Sequence, residues 1–328
     1  VALVAKRLKC KATIVMPVTT PQIKIQAVEA YGANIILHGD SFDDAYTQAI
    51  KLATQKKLTF IPPYDDPDII AGQGTIGMEI LRQHTKPLHA VFVPIGGGGL
   101  ISGIAAYIKS LHPEIKIIGV EPVDSNAMYL SLQKGRRVRL SQVGVFADGV
   151  AIKQVGKETF RLCRELVDEI ILVDTDAICA AIKDVFEDTR VMLEPSGALS
   201  VAGAKLYCSR EELRGKTIVA IASGANMNFD RLRHVSERAE IGEEREAVMS
   251  VTIPEKPGSF KKFCSMLGTK SITEFNYRYD DPKEARVFVG VSVRNRNETE
   301  KLVKLLEKNG LHTEDLSDNE MAKLHIRY

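Results

Sequence analysis

The sequence runs to 328 residues, 45% of them hydrophobic and 26% charged, long and apolar enough for a large core in two or three folding units, which excludes disorder as its dominant state. Its 44 Lys and Arg offset 42 Asp and Glu, a formal net charge of +2, so no global field holds a polyanion and nucleic acid is excluded as the expected partner. The longest uncharged stretch, Ala90 to Ile108, carries Pro94 and four consecutive glycines, which excludes one continuous membrane span and leaves no membrane partner expected.

In chain order, Val1 to Lys9 has neither the apolar core nor the cleavage signature of a signal peptide. It reads as the middle of a helix and a cut end, with Val1, Val4 and Leu8 on one face and no capping residue before them. Apolar runs rich in β-branched residues follow at Ala12 to Met16, Asn34 to Leu37, Thr59 to Ile61, Ala90 to Ile95, Lys116 to Val120, Glu169 to Val173 and Thr217 to Ala222. Amphipathic segments separate them as far as Leu232, a pattern that predicts parallel sheets covered by helices on both faces. After Glu169 to Val173, a helix is predicted with Ile178, Ala181, Ile182, Val185 and Phe186 on its buried face, Asp174 or Thr175 as cap, and its acidic residues in solvent.

From Arg231 to Arg245 charge dominates, which predicts a solvated helix and connector at a domain boundary. Beyond it come strand Val248 to Ile253, a turn over Pro254 to Gly258, helix Ser259 to Leu267, strand Ser271 to Tyr277, strand Ala285 to Val293, helix Glu298 to Asn309 and a short last segment. That order is the ferredoxin-like split βαβ arrangement. The expected organisation is a first domain over residues 1–235, with a smaller part to about 75 and a larger part over 76–235, a connector over 236–246 and a C-terminal domain over 247–328.

The candidate chemistry lies at strand ends. Gly96, Gly97, Gly98, Gly99 and Leu100 follow the strand Ala90 to Ile95 and lead into a helical stretch, Ile101 to Leu111. Each glycine costs about 1 kcal/mol of chain freedom relative to alanine, so four together point to a need for bare backbone: amides at a helix start form an anion site, and glycine lets a phosphate reach them. A tight turn is the alternative reading, and one or two glycines would already satisfy it. A dinucleotide fingerprint would want glycine where Ile101 stands, and no Lys-Ser or Lys-Thr follows at P-loop spacing. Ser223 ends the strand Thr217 to Ala222 at the same predicted sheet edge, as a ligand contact or a helix cap. The five cysteines, Cys10, Cys163, Cys179, Cys208 and Cys264, show no CxxC pair and are expected as buried structural thiols in a reducing compartment. The seven histidines lack HxxxH or HExxH spacing, so no metal is assigned to them.

These motifs resemble a known family. GGGGL at Gly96 to Leu100, SGAN at Ser223 to Asn226, FADGVA at Phe146 to Ala151 and EPSGA at Glu194 to Ala198 look like those of fold-type-II pyridoxal-phosphate enzymes. AGQGT at Ala71 to Thr75, ETFRLC at Glu158 to Cys163, SERAEIGEEREA at Ser236 to Ala247 and PEKPGSF at Pro254 to Phe260 narrow the resemblance to biosynthetic threonine deaminase. The resemblance implies an α/β catalytic domain with two open parallel sheets and an ACT-like regulatory domain. It also implies pyridoxal 5'-phosphate as cofactor and α,β-elimination of L-threonine, with L-serine as a second candidate substrate, to a 2-oxo acid and ammonia, the first step of isoleucine biosynthesis.

By the same resemblance the amides of Gly96 to Leu100 hold the cofactor phosphate, the Ser223 hydroxyl meets the pyridine nitrogen, isoleucine and valine are effectors, and the full-length protein is a homotetramer in a bacterial cytoplasm or a plastid. The family's Schiff-base lysine belongs upstream of the residues matching Val1 and a second regulatory unit beyond Tyr328, so no catalytic lysine is assigned and the chain alone is expected to be inactive. In serine-racemase-like relatives a glutamate at the place of Glu121 binds a divalent cation with an aspartate six residues on, where Ala127 stands here; Glu121 is therefore expected as a structural or helix-capping residue. Glu194 is read as near the cofactor or as a charge at a helix start. The alternative functions are a catabolic serine/threonine dehydratase or serine racemase, and a non-catalytic amino-acid-sensing module.

Overall fold

A two-stranded parallel sheet organises the first 69 residues. In the computed structural model, which describes residues 1–242, 245–279, 282–319 and 321, the chain divides into units Val1–Ile69 and Ile70–Tyr328. The first unit holds α1 (Ala2–Arg7), β1 (Thr13–Met16), α2 (Gln22–Glu29), β2 (Asn34–Leu37) and α3 (Phe42–Lys56), with Thr13 opposite Asn34 and Met16 opposite Leu37. A capping box starts α3: Ser41 Oγ accepts from the Asp44 amide while the Asp44 carboxylate accepts from the Ser41 amide.

One expectation fails in this unit. Thr59 to Ile61 is not a strand. Pro62 and Pro63 follow at once and offer no N–H to a ladder, and Phe60 instead packs edge-on against Tyr46 at 5.6 Å. The Val1, Val4 and Leu8 face of α1 is exposed, and Ala2 is its buried residue.

Helix α4 (Pro67–Gln83) crosses into the second unit, whose first sheet has the order β5-β4-β3-β6 and is parallel throughout. Along the chain these are β3 (Ala90–Pro94), α5 (Gly99–Leu111), β4 (Lys116–Pro122), α6 (Ala127–Gln133), α7 (Lys157–Leu166), β5 (Glu169–Val173), α8 (Thr175–Thr189), α9 (Pro195–Arg210), β6 (Ile218–Ala220) and α10 (Leu232–Gly242). Strand side chains alternate between two apolar layers. Ala90, Phe92, Ile118, Val120, Ile171 and Val173 pack with α8, α9 and α10, and Val91, Val93 and Ile117 pack with α5 and its neighbours.

Asp174 caps α8 by accepting from the Ala177 amide at 2.8 Å, as one of its two sequence candidates. Phe186, expected on the buried face, is 38% exposed with the Arg190 guanidinium over its ring.

The charged stretch after Arg231 is not simply solvated. Val235 and Ala239 sit one turn apart on α10 and are buried in the core shared with α8 and α9. Arg238 between them is buried against Asp176 of α8, Nε to Oδ1 at 2.5 Å. Charge density predicted solvent; one apolar stripe and one internal ion pair were enough to bury a face.

The C-terminal sheet comprises β7 (Glu246–Pro254), β8 (Ile272–Tyr279), β9 (Glu284–Ser292) and β10 (His312–Asp315), with α11 (Ser259–Leu267) and α12 (Arg296–Lys308) on one face. Its antiparallel order β10-β7-β9-β8 is the ferredoxin-like arrangement expected from the element order. Every other residue of β7 and β9, from Ala247 to Ile253 and from Ala285 to Val291, points into the α11 and α12 core. No helix among the described residues is long and apolar enough to cross a membrane.

Candidate active site

Two strands deliver the candidate residues to one edge. β3 and β6 are neighbours in parallel register, Ala90 opposite Ile218 and Phe92 opposite Ala220, so the segments after them leave the sheet side by side at its carboxyl edge, where open α/β sheets bind ligands. The Ile95 amide donates to the Val120 carbonyl at 2.9 Å, the Ile221 amide to the Phe92 carbonyl at 3.0 Å, and beyond these points both chains turn away from the ladder.

The glycine run is a helix start. Helix α5 begins at Gly99, two residues before the sequence reading, with Gly98 as its N-cap at φ +95° and no capping side chain. Gly97, Gly98 and Gly99 are buried, and the amides of Gly96 through Leu100 donate to no acceptor among the described residues. Buried backbone donors are nearly always paired, so a row of free ones at the positive end of a helix fits an anionic ligand.

A Cβ on Gly98 would lie 2.7 Å from Met128 Cε and 2.9 Å from Thr159 Cβ, so side-chain bulk is excluded as well as disfavoured by the backbone. Behind the loop the Thr159 hydroxyl donates to the Gly97 carbonyl at 2.7 Å. Sequence reading took Thr159 only as one letter of ETFRLC and missed it; its partner lies 62 residues away in the chain, and no local pattern signals that contact.

Three motifs distant in sequence meet beside this loop. A Cβ on Gly96 would lie 3.1 Å from Val150 Cα, and one on Gly149 would lie 2.7 Å from Ser196 Oγ and 3.7 Å from Glu194 Oε1. Added atoms on Gly224 and Gly197 would overlap the Glu194 carboxylate and the Gly224 carbonyl, respectively. The Glu194 amide donates to the Gly224 carbonyl at 3.1 Å, which fixes the start of α9 beside the Ser223 segment. Glu194 is the N-cap residue of α9 but does not cap it through its side chain; the carboxylate lies instead among Gly149 and Gly224, between the strand-end loops.

Ser223 is exposed in an irregular segment, with no helix before the turn Phe229–Arg231, so it caps nothing, and it makes no hydrogen bond among the described residues. The buried Ser196 hydroxyl likewise finds no partner among them.

Glu121, at the end of β4, accepts from the Met128 amide at 2.9 Å and the Tyr129 amide at 2.8 Å, and so caps α6, the helix that carries Met128 to the back of the glycine loop. Burial pushes its carboxyl up to about 8, against the lowering effect of those two amides. No group of three or more His, Cys, Asp or Glu among the described residues is arranged to hold a metal.

Cys163 and Cys179 are buried and burial pushes both thiols up to about 12. Cys10 is exposed, against expectation, and Cys208 and Cys264 are half-buried.

Known proteins resemble this chain along its whole length. Residues 1–224 match the family described as pyridoxal-phosphate dependent enzyme, and residues 237–326 match the C-terminal regulatory domain of threonine dehydratase. The chain is 59% identical over 331 residues to the L-threonine dehydratase biosynthetic IlvA of Burkholderia multivorans, which covers all of this chain and 65% of that protein. It is 57% identical over 328 residues to the biosynthetic, chloroplastic threonine dehydratase of Arabidopsis thaliana, covering all of this chain and 55% of the relative. Among solved structures, the processed form of threonine deaminase isoform 2 from Solanum lycopersicum superposes with a TM-score of 0.71 at 54% identity, over 73% of this chain and 66% of that one.

Proposed function

Because this chain belongs to the pyridoxal-phosphate dependent enzyme family, we propose that it serves a biosynthetic threonine dehydratase, which eliminates water across the α and β carbons of L-threonine and releases 2-oxobutanoate and ammonia. The observation that carries the reading is the row of unacceptored amides from Gly96 to Leu100 at the start of α5, in a cradle that a Cβ would fill. These amides would hold the cofactor's phosphate dianion, with the α5 dipole adding to their pull. Ser223, with its hydroxyl unengaged on the same sheet edge, would meet the pyridine nitrogen. When bound, the cofactor supplies an electron sink for the substrate α carbon. A hydroxyl partner, unlike a carboxylate, does not force the ring nitrogen to stay protonated, which favours loss of the β-hydroxyl over transamination.

The regulatory match over 237–326 supports isoleucine as inhibitor and valine as its opponent, acting through the β7 to β10 sheet, and favours this reading over a serine racemase or a catabolic dehydratase. The assembly proposed is a homotetramer in a bacterial cytoplasm, with the plastid as the alternative that the chloroplastic relative supports. A non-catalytic sensing module is the remaining competitor, and one assay separates the two. Joined to the amino-terminal segment of the Burkholderia multivorans relative and supplied with cofactor, the chain is expected to form 2-oxobutanoate from L-threonine. Ser223→Ala in that chimera is expected to lower kcat by about tenfold, the equivalent of one hydrogen bond. A cofactor-loaded chimera that forms no 2-oxobutanoate would leave the sensing module standing.

A further inference from the structure

We propose that Thr159 is a positioning residue for the phosphate cradle: its buried hydroxyl aims the loop's amides by holding the Gly97 carbonyl from behind. The inference rests on the reading of Gly96 to Leu100 as the phosphate site. Thr159 is fully buried on α7, and its hydroxyl reaches the loop's backbone. Its Oγ1 donates to the Gly97 carbonyl at 2.7 Å, and the Gly156 amide, at the N-cap of α7, reaches the same oxygen at 3.4 Å.

In a planar trans peptide the carbonyl and the following N–H point in opposite directions. A Gly97 carbonyl tied to α7 behind the loop therefore turns the Gly98 N–H to the front. The same holds one peptide later: the Gly98 carbonyl accepts from the Ser102 amide at 3.0 Å in the first turn of α5, which turns the Gly99 N–H outward from the helix start.

Two consecutive amides are thus aimed by carbonyls fastened on the far side. Glycine at 98 tolerates the φ of +95° this requires, but it also leaves the peptide free to rotate, because no side chain resists the flip. The Thr159 hydroxyl supplies the missing restraint. Thr159 is itself held in place, since the Ser102 hydroxyl donates to its carbonyl at 3.3 Å and also lies 3.6 Å from Cys163 Sγ.

The test compares binding of pyridoxine 5'-phosphate and pyridoxine to the purified chain by equilibrium dialysis. Neither probe has an aldehyde, so lysine adducts do not enter, and their affinity ratio isolates the phosphate contact. Thr159→Val keeps the side-chain shape and removes the hydroxyl; Thr159→Ser keeps the hydroxyl and removes the methyl group. The expected result is a parent that prefers the phosphorylated probe, a Val variant whose preference falls by about tenfold for one lost hydrogen bond, and a Ser variant within about threefold of the parent.

A folded Val variant with the parent's ratio overturns the role of Thr159 while leaving the glycine loop as the phosphate site. A parent that does not discriminate between the probes overturns both. Loss of discrimination in Thr159→Ser, or failure of both variants to fold, assigns Thr159 to packing and also overturns the proposal.

Discussion

Glu121 illustrates how one side chain can serve a site at a cost to stability. Its two oxygens fix the start of α6, which carries Met128 against Gly98, yet burial raises its pKa from 4.5 to about 8. In the unfolded chain the group ionises near its ordinary value. Between about 4.5 and 8 the folded state therefore binds more protons than the unfolded one, and stability falls as pH rises through that window. Glu121→Gln keeps an acceptor and removes the ionisation, so denaturant unfolding at pH 5 and pH 8 is expected to show a smaller loss of stability for the variant than for the parent. Equal losses would mean that Glu121 does not titrate in this window. The residue was legible in sequence as a helix cap or a structural carboxylate, because the position of its companion aspartate is occupied by Ala127. Its amide partners seven and eight residues on were not, because they depend on the turn that follows β4.

At the scale of elements, the glycine-rich helices reach their packing through backbone contact. A Cβ on Gly103 of α5 would overlap the Ile70 carbonyl and lie 2.6 Å from the Gly74 amide of α4, and one on Gly74 would lie 3.2 Å from the Gly103 carbonyl. The two helices meet where neither has a side chain, which lets α5 approach the α4 backbone closely. Gly103→Ala is expected to cost about 1–3 kcal/mol, since the obstacle is backbone and cannot rotate away; an unchanged thermal midpoint would contradict the contact. Element types along the large sheet followed from period and β-branching, because strands buried on both faces must be apolar on both. Thr59 to Ile61 misled because a short apolar run is ambiguous, and the two prolines after it weigh against a ladder.

For the molecule as a whole, α10 decides how the sheet that carries the site continues into the regulatory fold. Its Val235 and Ala239 belong to the large-sheet core, its Arg238 pairs with Asp176, and the Arg231 guanidinium donates to the Phe146 carbonyl at 2.9 Å, at the start of the loop that reaches Gly96. The same helix ends just before β7. Arg238→Met would leave the Asp176 carboxylate buried without that partner and is expected to destabilise the fold by about 3–5 kcal/mol, with much of the loss recovered when Asp176→Leu is added. A single variant as stable as the parent in chemical denaturation would show that the pair is dispensable.

The sequence by itself determined the alternation of strands and helices, the ferredoxin-like order of the last third, and which loops carry bare backbone. Each of these is written in local periods and in the cost of unneeded glycine. Only the tertiary structure decided that Gly96, Gly149, Glu194 and Gly224 adjoin one another, that Thr159 stands behind Gly97, and that a charged helix buries one face. Those outcomes depend on contacts across about 30 to 60 residues of chain, where register and close approach, rather than the character of any one segment, set the neighbours.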